Sequence, residues 1–280
     1  MTSQTTQQAD GLTFAAYPGD GAVLLAFDVV QGLEQDLAGF AVEYTDPDGQ
    51  TFPVLNRLGF RQAITSATTP EQRQFFPTSE APLQKFHWVH FPPDVKPGTF
   101  TYKATAMLFQ PGSETALTAG PSAEVGVVLM PRRLDGSLKV EKSGDPADTT
   151  FIPFSYLSDK VPAPFRAEWN GGVGQVIHHK FVVTDFNGDN PLVFAGSSNL
   201  AASGEEQNGD NLVCFTDRDI ATRYEIEAIQ LVDHYRFRAV MQKATDAQPL
   251  QLQGHSAGWA ADYYAPGNPK FRERTLLAGR

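Results

Sequence analysis

The sequence predicts two domains, an all-β sandwich followed by an α/β domain. At 280 residues, the chain is long enough to hold two separate hydrophobic cores. Up to residue 130, short apolar runs alternate with turn residues, which is typical of a sandwich. Farther along, two β-rich runs precede a long pattern of helical period. We therefore expect a disordered start, a sandwich, a linker and an α/β domain, at residues 1–11, 12–130, 131–150 and 151–280.

Five apolar strands define the predicted sandwich, and turn residues such as Asp46-Pro47-Asp48-Gly49 separate them. The strands cover Ala22–Val29, Ala38–Tyr44, Phe86–Phe91, Gly98–Phe109 and Ala123–Leu129. Alternate residues of a strand share one face, so the longest strand presents an apolar face made of Phe100, Tyr102, Ala104 and Ala106. Its start, Pro97-Gly98-x-Phe100-x-Tyr102, resembles the turn and strand of fibronectin type III or immunoglobulin-like domains.

Two histidines lie in the third of these strands. His87 and His90 are three residues apart, so they face opposite sides of a strand and make a poor metal-binding pair. We predict that both are ordinary surface residues of the strand.

The second half of the chain begins after Met130-Pro131-Arg132-Arg133, where the composition turns polar and rich in Gly and Asp. Residues 151–157 can form a strand, and Asp217 or Asp219 can cap a helix that runs to about Met241. An apolar stripe predicts that this helix packs on a core; its members are Ile220, Tyr224, Ala228, Leu231 and Tyr235. The single cysteine, Cys214, lies in an apolar run, so we expect a buried structural thiol.

Net charge and hydropathy restrict the partners. A formal net charge of −10 disfavours general nucleic-acid binding, because such proteins need a basic face to neutralise phosphates. No apolar run approaches the roughly 18 residues of a transmembrane helix. The polar start MTSQTTQQADG carries neither a basic nor an apolar segment, so we expect no secretory signal and a cytoplasmic location.

The stretch with the clearest chemistry runs from Val176 to Asn199. Val176–Val183 is β-branched and aromatic, and as a strand it places His178 and Lys180 on one face, about 7 Å apart. An imidazole beside an ammonium group suits an anionic ester, because the first can attack or donate a proton while the second holds the anion. Asn187-Gly188 predicts a tight turn, and the next strand returns toward the same end.

The residues His178-x-Lys180-x4-Asp185, followed by Gly196-Ser197-x-Asn199, resemble the HxKxxxxD…GSxN signature of the phospholipase D superfamily. The likeness continues through Asn208-Gly209-Asp210-Asn211, where relatives place an acidic residue, and covers roughly residue 159 onward. The resemblance implies an α/β half-domain that hydrolyses a phosphodiester through a phosphohistidine, with no metal or other cofactor.

The resemblance also implies roles for individual residues. His178 would be the nucleophile, and Asp210 would orient it and stabilise its charged form. Lys180 and Asn199 would bind the phosphate oxygens, and Ser197 would support those oxygens or the histidine. Asp185 and Gly196 would be structural members of the motif, because Asp185 has the wrong strand parity to share the His178 face.

One departure from this pattern bears on activity. The superfamily mechanism uses two such motifs, one histidine attacking and the other protonating the leaving group, whereas this chain contains a single His-x-Lys. The chain resembles the second half of a two-motif enzyme, preceded by a β domain. We expect a phosphodiesterase acting on a phospholipid as a homodimer. The alternatives are an inactive phosphate-binding module or enzyme remnant, and a single-motif nuclease.

Overall fold

The structure is a computed structural model that describes residues 5–69, 72–130, 137–141, 149–153, 179–197 and 209–279. Contacts along the backbone divide the chain into two compact units. The first consists of Met1–His90, Lys96–Met130 and Ile226–Arg280, and the second of Phe91–Val95 and Pro131–Glu225. The first unit is therefore assembled from sequence-distant segments.

Ten strands belong to the first unit. In chain order, β1 to β10 cover Thr5–Ala9, Leu12–Pro18, Val23–Val29, Leu37–Thr45, Thr51–Pro53, Leu55–Asn56, Phe76–Pro77, His87–His90, Gly98–Phe109 and Leu117–Leu129. Two antiparallel sheets of four strands have the orders β1-β2-β3-β8 and β10-β9-β4-β5, and β6 pairs with β7. The prediction of a β-rich first half is confirmed.

The core of the first unit lies between these two sheets. Phe27 on β3 stacks on Phe40 on β4, with ring centroids 4.4 Å apart, and Phe14 stacks on Phe27 within the first sheet. On β9, the predicted apolar face of Phe100, Tyr102, Ala104 and Ala106 is completely buried. Strand alternation therefore identified the inward face of the longest strand.

The start of the chain differs from the predicted disorder. β1 pairs with β2 from Thr5 opposite Ala16 to Ala9 opposite Leu12. The two-residue loop between them is Asp10-Gly11, and both residues have positive φ, 47° and 94°. This is the backbone that a two-residue hairpin favours, and Asp-Gly is a preferred pair for it. The polar composition favoured a prediction of disorder, although Asp10-Gly11 is a hairpin signal.

The C-terminal segment returns to the first unit. It contains three helices: α1 at Arg218–Lys243, α2 at Ala261–Tyr264 and α3 at Pro269–Leu277. The Trp259 indole N–H donates to the carbonyl of Leu37 at 2.7 Å, and the Tyr17 hydroxyl donates to the carbonyl of Leu277 at 2.6 Å. The predicted division assigned all of residues 151–280 to a second domain, whereas the structure packs 226–279 with the β-strands.

This return explains why β2 and β3 are buried along their whole length. One face of β3 points into the sandwich through Phe27, and Asp28 points to the other side. There the buried Asp28 carboxylate pairs with the buried guanidinium of Arg274 from α3, and Arg274 Nε donates to the carbonyl of Tyr263 at 2.9 Å. Its guanidinium also lies 4.0 Å from the ring centroid of Tyr264. α3 is thus fixed to β3 by a buried charge pair.

The second unit contains five described strands. β11 to β15 cover Ser137–Glu141, Thr149–Pro153, Phe181–Thr184, Leu192–Gly196 and Leu212–Phe215. β11 pairs with β12 in an antiparallel hairpin. Within the stretch predicted as a linker, residues 137–141 and 149–150 therefore form strand, and Ser137–Glu141 has the period-2 alternation of a strand. α1 begins in this unit, and the division falls between Glu225 and Ile226.

The helices allow two more comparisons with expectation. Asp217 caps α1 as predicted, since its carboxylate accepts from the Ile220 N–H at 2.9 Å. No member of the predicted apolar stripe is fully buried: Tyr235 is exposed and the other four are half-buried. The buried residues at the start of α1 are instead Ala221 and Ile226. Within the described residues, no helix has the length and hydropathy needed to cross a membrane.

Candidate active site

A three-stranded antiparallel sheet, β13-β14-β15, forms the framework of the candidate site. Its central strand is held from both sides, with Phe181 opposite Ala195 and Gly196 opposite Leu212. Val193 is completely buried, and the Phe181 ring packs edge-on against Tyr224 of α1, with centroids 5.1 Å apart. The apolar alternation of the strands therefore anchors one face of the sheet and fixes its register.

This register brings three of the predicted site residues to one end of the sheet. β13 begins, β14 ends and β15 begins at the same end of the sheet. Lys180, Ser197 and Asp210 therefore lie next to these ends on three neighbouring strands. The Gly196 N–H reaches the Lys180 carbonyl at 3.4 Å, which extends the pairing one residue past the strand. Sequence-distant parts of the motif thus meet because of the antiparallel order.

Ser197 and Asp210 are directly bonded. The Ser197 hydroxyl donates to Asp210 Oδ1 at 3.1 Å, and Ser197 Oγ accepts from the Asn211 N–H at 3.0 Å. Lys180 and Asp210 are half-buried, whereas Ser197 is exposed. The three residues therefore lie at the same end of the sheet, and a hydrogen bond joins the serine hydroxyl to the carboxylate.

Two of the predicted residues, His178 and Asn199, lie outside the described residues, as do Val176, Ile177 and Asn208 of the motif region. In the sequence, the described residue Lys180 is two positions after His178, and the described residue Ser197 is two positions before Asn199. Their roles stay predictions. So does the predicted bond between Asp210 and His178.

Asp185 lies at the opposite end of the β13–β14 hairpin. It has φ of 55°, and its carboxylate accepts from the Asn190 N–H at 2.7 Å. A side chain at Gly188 would collide with Asp185, since a Cβ there would lie 1.8 Å from Asp185 Oδ1. The loop spans residues 185–191, longer than the tight turn predicted at Asn187-Gly188. Asp185 orders this loop and does not reach the edge that holds Lys180.

The predicted burial of the Cys214 thiol is wrong. It lies on β15 and is exposed, together with its neighbours Leu212 and Val213. The apolar run that suggested a buried thiol forms a strand that pairs with β14 alone among the described strands. An apolar run predicts a strand more safely than it predicts burial on both faces of that strand.

A second cluster of ionisable side chains lies in the first unit, around His87. Predicted as a surface residue, His87 is only 3% exposed, because α1 and α3 cover its face of the sheet. Its Nε2 lies 3.1 Å from Asp233 Oδ2, and its Nδ1 lies 2.9 Å from Glu273 Oε1. Burial alone would lower the pKa of His87, but the hydrogen bonds and charges of the two carboxylates raise it. We call His87, Asp233 and Glu273 the His87 clamp.

His90, the other histidine of β8, faces the interior of the sandwich. Its Nδ1 lies 3.0 Å from the Tyr102 hydroxyl, and desolvation lowers the pKa of His90 to about 3. The prediction of opposite faces is right, but the prediction of surface positions is wrong for both histidines, since His87 is buried under the helices and His90 points into the sandwich. Since both nitrogens of His87 already face carboxylates, the cluster bonds elements together and leaves no ring nitrogen for a ligand.

Comparison of the chain with protein-family models, with curated proteins and with solved structures finds no match. The geometry of the described residues is therefore the basis for a function. Within that part of the chain, no group of three or more His, Cys, Asp or Glu side chains is arranged to hold a metal ion.

Proposed function

We propose that this chain is a phosphodiesterase of the phospholipase D superfamily that hydrolyses a phospholipid. The observation that carries the proposal is that Lys180, Ser197 and Asp210 lie at the same end of the β13-β14-β15 sheet, with Ser197 hydrogen-bonded to Asp210. These residues come from separate parts of the motif, and the antiparallel register unites them. In the sequence, the proposed nucleophile His178 precedes Lys180 by two residues.

In the proposed reaction, the neutral imidazole of His178 attacks the phosphorus atom. A nitrogen–phosphorus bond forms, and the bond from phosphorus to the leaving alkoxide breaks as that oxygen takes up a proton from a general acid. Water then attacks the phosphohistidine and frees the imidazole. Lys180 stabilises the negative charge that the phosphate oxygens carry through both steps, which in a partly desolvated site is a large contribution to rate.

The general acid is proposed to be His178 of a second copy of the chain. The sequence holds a single His-x-Lys, so one chain supplies a nucleophile without the acid that protonates the leaving group. Such an acid contributes about 10²- to 10⁴-fold to a rate. A two-fold dimer repeats the same patch on both sides and would bring two such histidines to one site.

The substrate class is tested with three probes offered to the purified full chain: phosphatidylcholine vesicles, single-stranded DNA and bis(p-nitrophenyl) phosphate. We expect turnover of vesicles and of the small diester, because the net charge of −10 disfavours DNA. Lys180→Gln should lower kcat/KM on both by about 100-fold. The matched control is Lys243→Gln, at the exposed end of α1, which should leave activity unchanged. Turnover of DNA alone would instead assign a nuclease, and phosphate binding without turnover would assign a binding module.

The dimer requirement has its own test. Mixing the wild type with a fivefold excess of inactive His178→Ala chains should lower activity well below that of the wild type alone, because most dimers then hold one defective histidine. Diluting the wild type through its dissociation constant should lower the specific activity. A chain that sediments as a monomer and turns over a phosphodiester at full rate would contradict the shared site.

A further inference from the structure

Asn211 lies directly opposite Ser197, where β14 ends and β15 begins. Gly196 pairs with Leu212, so Ser197 and Asn211 are the next pair outward. The Ser197 N–H is within hydrogen-bonding distance of two oxygens of Asn211, the side-chain Oδ1 at 2.9 Å and the carbonyl at 3.2 Å. The Asn211 N–H in turn donates to Ser197 Oγ at 3.0 Å. The two residues therefore fix each other through main chain and side chain.

Gly196 permits this close pairing. A Cβ at Gly196 would lie 2.1 Å from the Asn211 carbonyl oxygen, a separation that real Cβ atoms do not show. Any side chain at this position would push the start of β15 away from the end of β14. The requirement for glycine in the motif thus has a local cause, which is the approach of Asn211.

The Ser197 hydroxyl has a defined direction as a result. A serine hydroxyl has one hydrogen to donate. Here it donates to Asp210 Oδ1 at 3.1 Å while its oxygen accepts from Asn211. The Ser197 hydroxyl hydrogen is therefore donated to the Asp210 carboxylate and not to a phosphate oxygen. In this arrangement Ser197 orients Asp210, and the phosphate oxygens are left to Lys180 and to Asn199.

We propose that Asn211 is a positioning residue of this site: it holds the Ser197 turn, and through the Ser197 hydroxyl it orients the carboxylate of Asp210. The inference rests on the phosphodiesterase function proposed above for its effect on rate, and on the described hydrogen bonds for its effect on the turn. Asn211 carries no role in the motif as the sequence presents it. Misplacing a reacting group by about 1 Å can cost about 10²-fold in rate.

The test compares two substitutions at Asn211 in the full chain. Asn211→Ala removes the side-chain acceptor of the Ser197 N–H; Asn211→Asp keeps an oxygen there and adds a negative charge. We expect Asn211→Ala to lower kcat by about 10- to 100-fold with KM nearly unchanged. We expect Asn211→Asp to restore kcat to within about threefold and to raise KM, because the added charge repels an anionic substrate.

A structural readout accompanies the kinetics. Hydrogen exchange of the Ser197 amide, followed by NMR, should speed up about fivefold in Asn211→Ala and remain near the wild-type rate in Asn211→Asp, because one hydrogen bond is worth about 1 kcal/mol. The control is Asn190→Ala, an exposed position in the loop at the other end of the sheet, whose main-chain bond to Asp185 survives the change. It should alter neither kcat nor Ser197 exchange.

The outcomes separate this inference from the proposed function. An active wild type with an equally active Asn211→Ala variant would overturn the positioning role and leave the function standing. A wild type that turns over no phosphodiester would overturn the function, and Ser197 exchange would then decide whether Asn211 holds the turn. Unchanged Ser197 exchange in Asn211→Ala overturns the inference in either case. If Asn211 acts through Ser197, adding Asn211→Ala to Ser197→Ala should cost little more than Ser197→Ala alone.

Discussion

His178 and His179 offer a comparison between adjacent imidazoles. Successive residues of a strand point to opposite faces, and residues two apart share a face. His179 lies on the same face as Phe181, with ring centroids 6.1 Å apart. His179 is exposed, so its truncation should change the free energy of unfolding by less than about 0.5 kcal/mol. Only His178 is placed by the motif on the face of Lys180.

We therefore expect His178→Ala to abolish turnover of a phosphodiester, since it removes the proposed nucleophile. His179→Ala should keep activity within about threefold of the wild type. Both variants are assayed at equal concentrations after circular dichroism shows equal folding. Equal losses of activity in the two would reject His178 as the nucleophile.

The location of a residue relative to its neighbours was predictable where a motif fixed the spacing, and less so where the neighbour came from a distant part of the chain. The sequence indicated Lys180, Ser197 and Asp210, and the register brings them to one edge. It assigned nothing to Asn211, because the bond to Ser197 depends on β14 and β15 being neighbours. His87 was misjudged for a similar reason, since its carboxylates come from positions 233 and 273.

At the scale of elements, the His87 clamp joins β8 to two helices. Asp233 is on α1 and Glu273 is on α3, and Lys85 lies 2.6 Å from Asp233 while Arg236 lies 3.8 Å from Glu273. Burial alone would raise the pKa of Asp233, but the hydrogen bond and charge of His87 and the charge of Lys85 lower it to about 2. The hydrogen bond from His87 lowers the pKa of Glu273, although burial opposes it.

The signs of these shifts define a pH window. Because the pKa of His87 is raised on folding, its stabilising contribution is complete below the ordinary histidine value of about 6.5 and is lost as pH rises through the folded value. The pKa values of Asp233 and Glu273 are lowered, so their contribution is complete above about 4.5 and is lost as pH falls. The His87 clamp should therefore contribute most to stability between about pH 5 and 6.5.

We expect α3 to dock less tightly at pH 8.5 than at pH 6. Raising the pH across this range should lower the protection factors of the α3 amides, which are their exchange rates corrected for the base-catalysed exchange of an unfolded chain, by an amount corresponding to about 1.5 to 3 kcal/mol for hydrogen bonds to a charged group. His87→Gln should remove most of this dependence on pH. The matched control is His255→Gln, whose Nε2 lies 3.1 Å from Asp36 at an exposed site, and it should keep the wild-type profile. A pH dependence that survives His87→Gln would assign it to another group.

The elements themselves were predicted unevenly, for physical reasons. β9 was predictable because one of its faces is buried and the other is not, which produces alternation. β2 and β3 are nearly continuous apolar runs and are buried on both faces, which is the composition of strands covered by a second layer. The sequence could not name that layer, because the periodicity of a helix shows which face is apolar and does not show what covers it.

For the whole molecule, the packing of residues 226–279 with the β-strands predicts that cleavage near Met130 does not separate the two fragments. A specific protease site inserted after Met130, at the predicted boundary, should yield two fragments that remain associated in native buffer. Buried contacts hold them, including the Asp28–Arg274 pair and the bond from Trp259 to Leu37. Size-exclusion chromatography should show one peak in buffer and two in denaturant.

Arg274→Met is the informative variant, because it leaves the Asp28 carboxylate buried without its charge partner. Breaking a buried ion pair from one side costs about 3 to 5 kcal/mol. The nicked variant should therefore dissociate more readily than the nicked wild type. Lys270→Met, which removes an exposed pair with Asp262 at 3.0 Å, is the control and should behave like the wild type. Immediate separation of the nicked wild type would contradict the buried docking.

The bond between the Tyr17 hydroxyl and the Leu277 carbonyl, 260 residues apart, also sets an order of events during synthesis. A ribosome completes the sandwich strands at Met130 and makes the segment that covers β2 and β3 only after about 100 further residues. At about 5 to 20 residues per second, the apolar outer face of that sheet stays uncovered for on the order of 10 s. For that interval the nascent chain exposes the kind of surface that chaperones bind. The last helix to emerge is therefore the one that ends the exposure.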